Sequence, residues 1–154
     1  MTVLHLCVGL PGAGKTTLAR RLEAQCSALR LSTDDWMHPL FGAGESENKR
    51  DVLEHELLWS IARRVLTLGT DVVLDYGLWS RQERDLYRAR AAELGVNVIL
   101  YFLDPSLEEL WRRLEVRNAE PGYPFKVTRE ELELWNTWFE RPTPEEQALF
   151  HQPD

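Results

Sequence analysis

The feature that most constrains this chain is an octapeptide, Gly9-Leu10-Pro11-Gly12-Ala13-Gly14-Lys15-Thr16, lying between two differently patterned segments. It fits G-x-x-x-x-G-K-S/T at every fixed position, in the strand-to-helix context that its mechanism needs. Before it, Val3 to Val8 is a short apolar run with β-branched ends, read as a buried strand. After it, Leu18, Ala19 and Leu22 recur on one face of a helix expected from Lys15 to about Cys26. Glycines let such a loop turn its backbone N–H groups inward, and the helix N-terminus adds about half a unit of positive charge. The loop therefore reads as a cradle for the phosphates of a nucleoside triphosphate, formed by Gly9, Leu10, Pro11, Gly12, Ala13, Gly14, Lys15, Thr16 and Thr17. Lys15 is placed to reach the β- and γ-phosphates, and the Thr16 hydroxyl to hold Mg²⁺.

The remaining chain alternates strands with amphipathic helices. Leu29 to Leu31 is a second strand, ended by Ser32-Thr33-Asp34-Asp35. A loop with Pro39, Gly42 and Gly44 is expected next, then a helix over about 47–68 with Leu53, Leu57, Ile61, Val65 and Leu68 on one stripe. Val72-Val73-Leu74 is a third strand ending at Asp75, and Val96 to Leu103 a fourth. Ser80-x-x-Glu83, Ser106-x-x-Glu109 and Thr128-x-x-Glu131 are capping boxes that open helices, and Thr143-Pro144-Glu145-Glu146 repeats the signal. The pattern predicts an α/β fold with a parallel sheet covered on both faces, built as one domain over 1–154.

With these motifs in this order, the chain resembles the P-loop kinases, small AAA_33-type ATP-binding domains. It is most similar to the 5′-hydroxyl polynucleotide kinases, chloramphenicol phosphotransferases and zeta-toxin-type kinases. The resemblance implies a P-loop NTPase three-layer sandwich of about four strands in the order 2-3-1-4, with ATP and Mg²⁺ as cofactors. It also implies that Asp34, the first residue of the Asp34-Asp35 pair, is the general base that takes the acceptor's proton. That agrees with the position of Asp34 at a strand's carboxyl end, where open α/β sheets bind ligands. Asp75, after the third strand, is the second candidate magnesium residue beside Thr16.

Arg113 and Arg117 lie one helical turn apart before a Gly/Pro-containing loop, where the resembling kinases carry lid arginines that stabilise the migrating phosphoryl group. Arg112 is the alternative if the register differs by one. Asp35, Trp36, Trp79 and Arg81 follow the two acidic strand ends and are the candidate acceptor-binding residues. The polynucleotide kinases have a cation after the Asp pair, typically in Asp-Asp-Tyr-Arg, whereas this chain reads Asp34-Asp35-Trp36-Met37.

Lys+Arg 18 against Asp+Glu 25 gives a net charge of −7, which argues against a broad duplex-binding surface. Two cysteines do not make a disulfide framework, and no apolar run approaches the roughly 20 residues that span a bilayer. The expectation is a cytoplasmic, ATP-dependent kinase that phosphorylates a hydroxyl on a small molecule, with no membrane role and nucleic acid disfavoured as partner. The alternatives are a polynucleotide 5′-hydroxyl kinase and a nucleotide-dependent switch acting through a protein partner.

Overall fold

The computed structural model describes residues 1–42 and 48–153. The strands β1 (Val3–Val8), β2 (Leu29–Ser32), β3 (Val72–Gly77) and β4 (Asn97–Phe102) form a parallel sheet in the order β2-β3-β1-β4, as expected. β1 is paired on both edges and covered on both faces, so both sets of its alternating side chains face protein. Leu4, Leu6 and Val8 join Val72 and Leu74 in the larger core. Cys7 and Val73 instead meet Leu18, Ala19 and Leu22 of α1 (Lys15–Cys26) on the opposite face. Burial there pushes the Cys7 thiol up to about 12, so it serves as a small inert hydrophobe. Each fully buried leucine in this arrangement stabilises the fold by roughly 2–3 kcal/mol.

The helices α5 (Arg81–Leu94), α6 (Leu107–Asn118), α7 (Arg129–Trp138) and α8 (Pro144–Gln147) begin at the predicted caps. Ser80, Ser106, Thr128 and Thr143 each accept a hydrogen bond from the backbone N–H three residues on. Each such cap contributes about 1 kcal/mol. No helix among the described residues is long and apolar enough to cross a membrane.

Two expectations are corrected. The segment after Ser32 is a helix, α2 (Thr33–Phe41), and Pro39 lies in its last turns, where its missing N–H costs one local bond. Gly44 and the expected helix start at 47 lie outside the described residues. The helix that follows is also not uniform. α3 (Lys49–Val52) passes through a π-helical segment, Leu53–Leu58, into α4 (Trp59–Thr67). The wider π turn inserts one residue into the repeat, so the stripe moves from Leu53 to Leu58, Ala62 and Leu66, while Leu57 and Leu68 face solvent. The same shift buries Glu54.

β3 carries a second irregularity. Cys7 pairs with Asp75 and Val8 with Gly77, so Tyr76 is an extra residue in β3. Such a bulge re-aims the side chain it carries. Just beyond, the fully buried Arg84 of α5 makes a two-pronged ion pair with Glu146 of α8 at 2.6 and 3.0 Å and donates to the Leu78 carbonyl at 2.9 Å. The last helix thus holds the turn that leads out of β3.

Candidate active site

The carboxyl ends of β1, β2 and β3 open onto a cavity of about 1170 Å³. Its floor is the phosphate loop. Gly14 caps α1 with φ 100, a conformation that a side chain at this position would oppose. A Cβ on Gly9 would sit 2.8 Å from the Leu103 carbonyl oxygen and 2.9 Å from the Ala13 Cβ, so the loop can pass there only as glycine. Lys15 donates from Nζ to the Leu10 carbonyl at 2.9 Å, folding the ammonium back over the loop. Burial pulls that ammonium below the ordinary lysine range; Asp75 and Asp34 oppose the shift and Arg117 adds to it. Asp34, Asp75 and Arg117 thus gather around Lys15, and all four line the cavity.

Asp75, from β3, is buried and accepts from the Thr16 hydroxyl at 2.9 Å. Burial pushes its carboxyl above the usual carboxylate range, while Thr16, Lys15 and Arg30 pull it back. A hydroxyl and a carboxylate, both oxygen donors at the edge of a phosphate cradle, fit a hard divalent cation such as Mg²⁺. Across the cavity, Asp34 projects from the first turn of α2 with its side chain half exposed, and Arg50 donates to it at 3.3 Å.

On the α6 side of the cavity, Arg113 donates from Nη1 to the Gly12 carbonyl at 3.1 Å and from Nε to Glu109 at 2.9 Å, lying directly on the phosphate loop. Arg117 lines the cavity with its guanidinium 5.0 Å from the centre of the Tyr123 ring; its buried Nε has no hydrogen-bond partner among the described residues. Arg112, the alternative in register, pairs with Glu109 and points to solvent. Trp79 borders the same cavity. Its indole N–H donates to the Gly9 carbonyl at 3.1 Å, and its ring lies 5.8 Å from that of Trp135.

Three expected acceptor residues stand outside the cavity. Asp35 is exposed and held by Arg30 at 2.9 Å. Trp36 is exposed because α2 turns about 100° per residue and directs Met37, not Trp36, into the core. Arg81 lies along the first turn of α5 and pairs with Asp85 at 2.9 Å, away from the cavity.

The sequence reading missed Arg30, Arg50 and Glu54. Arg30 reaches Asp75 at 3.4 Å while holding Asp35, linking the two acidic strand ends. Its cationic side chain inside the short apolar β2 was the available signal. Glu54, only 4% exposed, accepts from the Thr33 hydroxyl at 2.5 Å and lines the cavity beside Asp34. Nothing local in the sequence marks it, because the π turn that buries it has no simple signature.

Residues 4–142 match the model of the AAA_33 family, described as an AAA domain. A probable adenylyl-sulfate kinase of Aeropyrum pernix is 30% identical over 111 residues, covering 68% of this chain. The chain spans about 60% of that relative's length. Among solved structures, Kti12 of Chaetomium thermophilum in complex with ADP-AlF3 superimposes with a TM-score of 0.71 at 22% identity, over 92% of this chain and 82% of the other. The Pnkp1/Rnl/Hen1 RNA repair complex contains a similar fold, with a TM-score of 0.76 at 21% identity over 89% of this chain and 43% of that one. The chain belongs to the AAA_33 family and has the fold of the P-loop kinases.

Proposed function

We propose that this chain, acting as a single domain, is an ATP-dependent phosphotransferase that moves the γ-phosphate to a hydroxyl of a small molecule. The observation that carries the reading is the convergence on one cavity of a phosphate loop, a half-exposed carboxylate facing it, and two arginines from α6. An adenylyl-sulfate kinase among the relatives supports the same chemistry.

In this reading the loop amides and Lys15 bind the triphosphate. Thr16 and Asp75 would hold Mg²⁺, which neutralises phosphate charge when bound. Asp34 orients the acceptor hydroxyl and takes its proton as the oxygen bonds to the γ-phosphorus and the bond to the β-phosphate oxygen breaks, releasing ADP. Arg50 must let go of Asp34 for this, and an exposed pair at 3.3 Å gives way readily. Arg117 and Arg113 spread the charge on the migrating group, and the lid excludes water.

The test is transfer from γ-labelled ATP into a metabolite pool and an oligonucleotide pool side by side. Label in small molecules, lost by about 10²–10⁴-fold in Asp34→Asn with nucleotide affinity retained, is the expected result. Tight nucleotide binding without transfer to either pool would point to a switch.

A further inference from the structure

The acceptor end of the cavity is acidic, and its charges are unequally paired. Asp34 faces Arg50. Glu83 faces His55 at 3.5 Å and also accepts from the Ser80 hydroxyl. Asp51 is exposed at the edge, and Lys126 is exposed on the segment between α6 and α7. Glu54 differs from all of these. It is buried against the cavity wall, and its one hydrogen bond among the described residues comes from the neutral hydroxyl of Thr33. Arg50 and His55, the latter with a ring nitrogen within 4.8 Å of the Glu54 carboxylate, favour the ionised form, and Glu83 opposes it.

A buried carboxylate whose direct hydrogen bond comes from a neutral hydroxyl is costly to keep ionised, and the nearby His55 is already engaged by Glu83, so its position in a ligand cavity suits a positive group from the ligand. A second, separate observation lies beside it. The hydroxyl of Tyr76, re-aimed by the bulge in β3, is buried with no partner among the described residues, and Tyr76 lines the same cavity. Tyr76 and Trp79 both line the cavity, and aromatic rings attract cations. Resting on the phosphotransferase reading above, we propose that the acceptor carries a protonated amine near its reactive hydroxyl, and that Glu54 is the residue that selects it. The amine is bound and not phosphorylated; its N–H groups occupy the free side of the Glu54 carboxylate and reach the Tyr76 oxygen. An anionic acceptor would bring a second negative charge to Glu54.

The experiment measures binding to the full chain loaded with ADP, so that it does not depend on turnover. Phenylglycinol and kanamycin are compared with their N-acetylated forms and with mandelate, by calorimetry at pH 8. Amines are expected to bind about 10–100-fold more tightly than their acetylated partners, with mandelate weakest. Glu54→Gln should abolish the difference while leaving ADP affinity unchanged, and Glu54→Asp should restore part of it. Glu83→Gln, whose carboxylate already has a partner, should keep most of the preference. Equal binding of amine and acetylated forms, tighter mandelate, no amine binding up to millimolar concentration, or a preference that survives Glu54→Gln each overturns the proposal. Loss of γ-phosphate transfer with the amine preference intact would instead refute only the phosphotransferase reading.

Discussion

Glu54 should set the pH dependence of stability in this domain, and Glu54→Gln tests it directly. Burial pushes its carboxyl from the usual 4.5 up to about 7; the Thr33 hydrogen bond, Arg50 and His55 pull it down and Glu83 pushes it further up. An acid whose value is raised on folding holds its proton more tightly in the folded state. Below pH 4.5 both states are protonated and the residue is neutral to stability. As pH rises through 7 the unfolded chain ionises freely while the folded one resists, so stability falls. At roughly 1.4 kcal/mol per pH unit, the full loss is on the order of 3 kcal/mol above pH 7. Glutamine keeps the shape, accepts from Thr33 and carries no charge. Glu54→Gln should therefore be close to the wild type in urea denaturation at pH 4.5 and more stable by about 2–3 kcal/mol at pH 8. The other titrating groups are common to both proteins and largely cancel in the difference. A difference that stays constant with pH, or a variant that loses stability as pH rises, would refute the reasoning.

Other outcomes follow from the same geometry. Lys15→Ala should abolish phosphoryl transfer without lowering the melting temperature, since it removes a partly buried charge that packs nothing in the core; a large fall in melting temperature would assign Lys15 a structural role. Arg117→Ala should lower kcat by about 10²-fold or more with a smaller effect on nucleotide affinity, whereas Arg112→Ala, on the solvent side, should leave kcat within about twofold. Leu6→Ala, at the centre of the sheet, should cost about 2–5 kcal/mol in chemical denaturation, and a smaller loss would mean that the core collapses around the gap.

What could be read in the sequence was local. The phosphate loop, the four serine and threonine caps and the ends of β1 and β2 each depend on a few consecutive residues, and each was legible, whereas β3, read as ending at Asp75, runs on through the bulge to Gly77. Asp34, Asp75, Arg113 and Arg117 were legible because strand ends and one helical turn determine where they lie. The π turn at 53–58 was not, because it arises from how two stretches of helix seat on the sheet, and it moved the buried stripe from Leu57 to Leu58. Trp36 was misplaced for a related reason: reading α2 as a loop removed the periodicity that sends Met37 inward. Arg81 was misplaced because its partner one turn along the helix, Asp85, competes successfully for its guanidinium. Arg50 and Glu54 come to the cavity from a distant segment, and no short pattern announces that approach.

The Arg84–Glu146 pair has a practical consequence for anyone trimming this chain. The partners are 62 residues apart, and the segment that matches the family, 4–142, ends before Glu146. A piece cut to the matched span would keep the phosphate loop, Asp34, Asp75, Arg113 and Arg117 and still leave a guanidinium sealed in the interior without a counter-charge. Breaking such a pair costs about 3–5 kcal/mol, against a typical whole-domain stability of about 5–15 kcal/mol. The damage would spread through the Leu78 carbonyl to Trp79, whose indole is tied to Gly9. The phosphate loop and the chain's last helix, at opposite ends of the sequence, are thus mechanically one part, and a boundary drawn from similarity alone would cut through it.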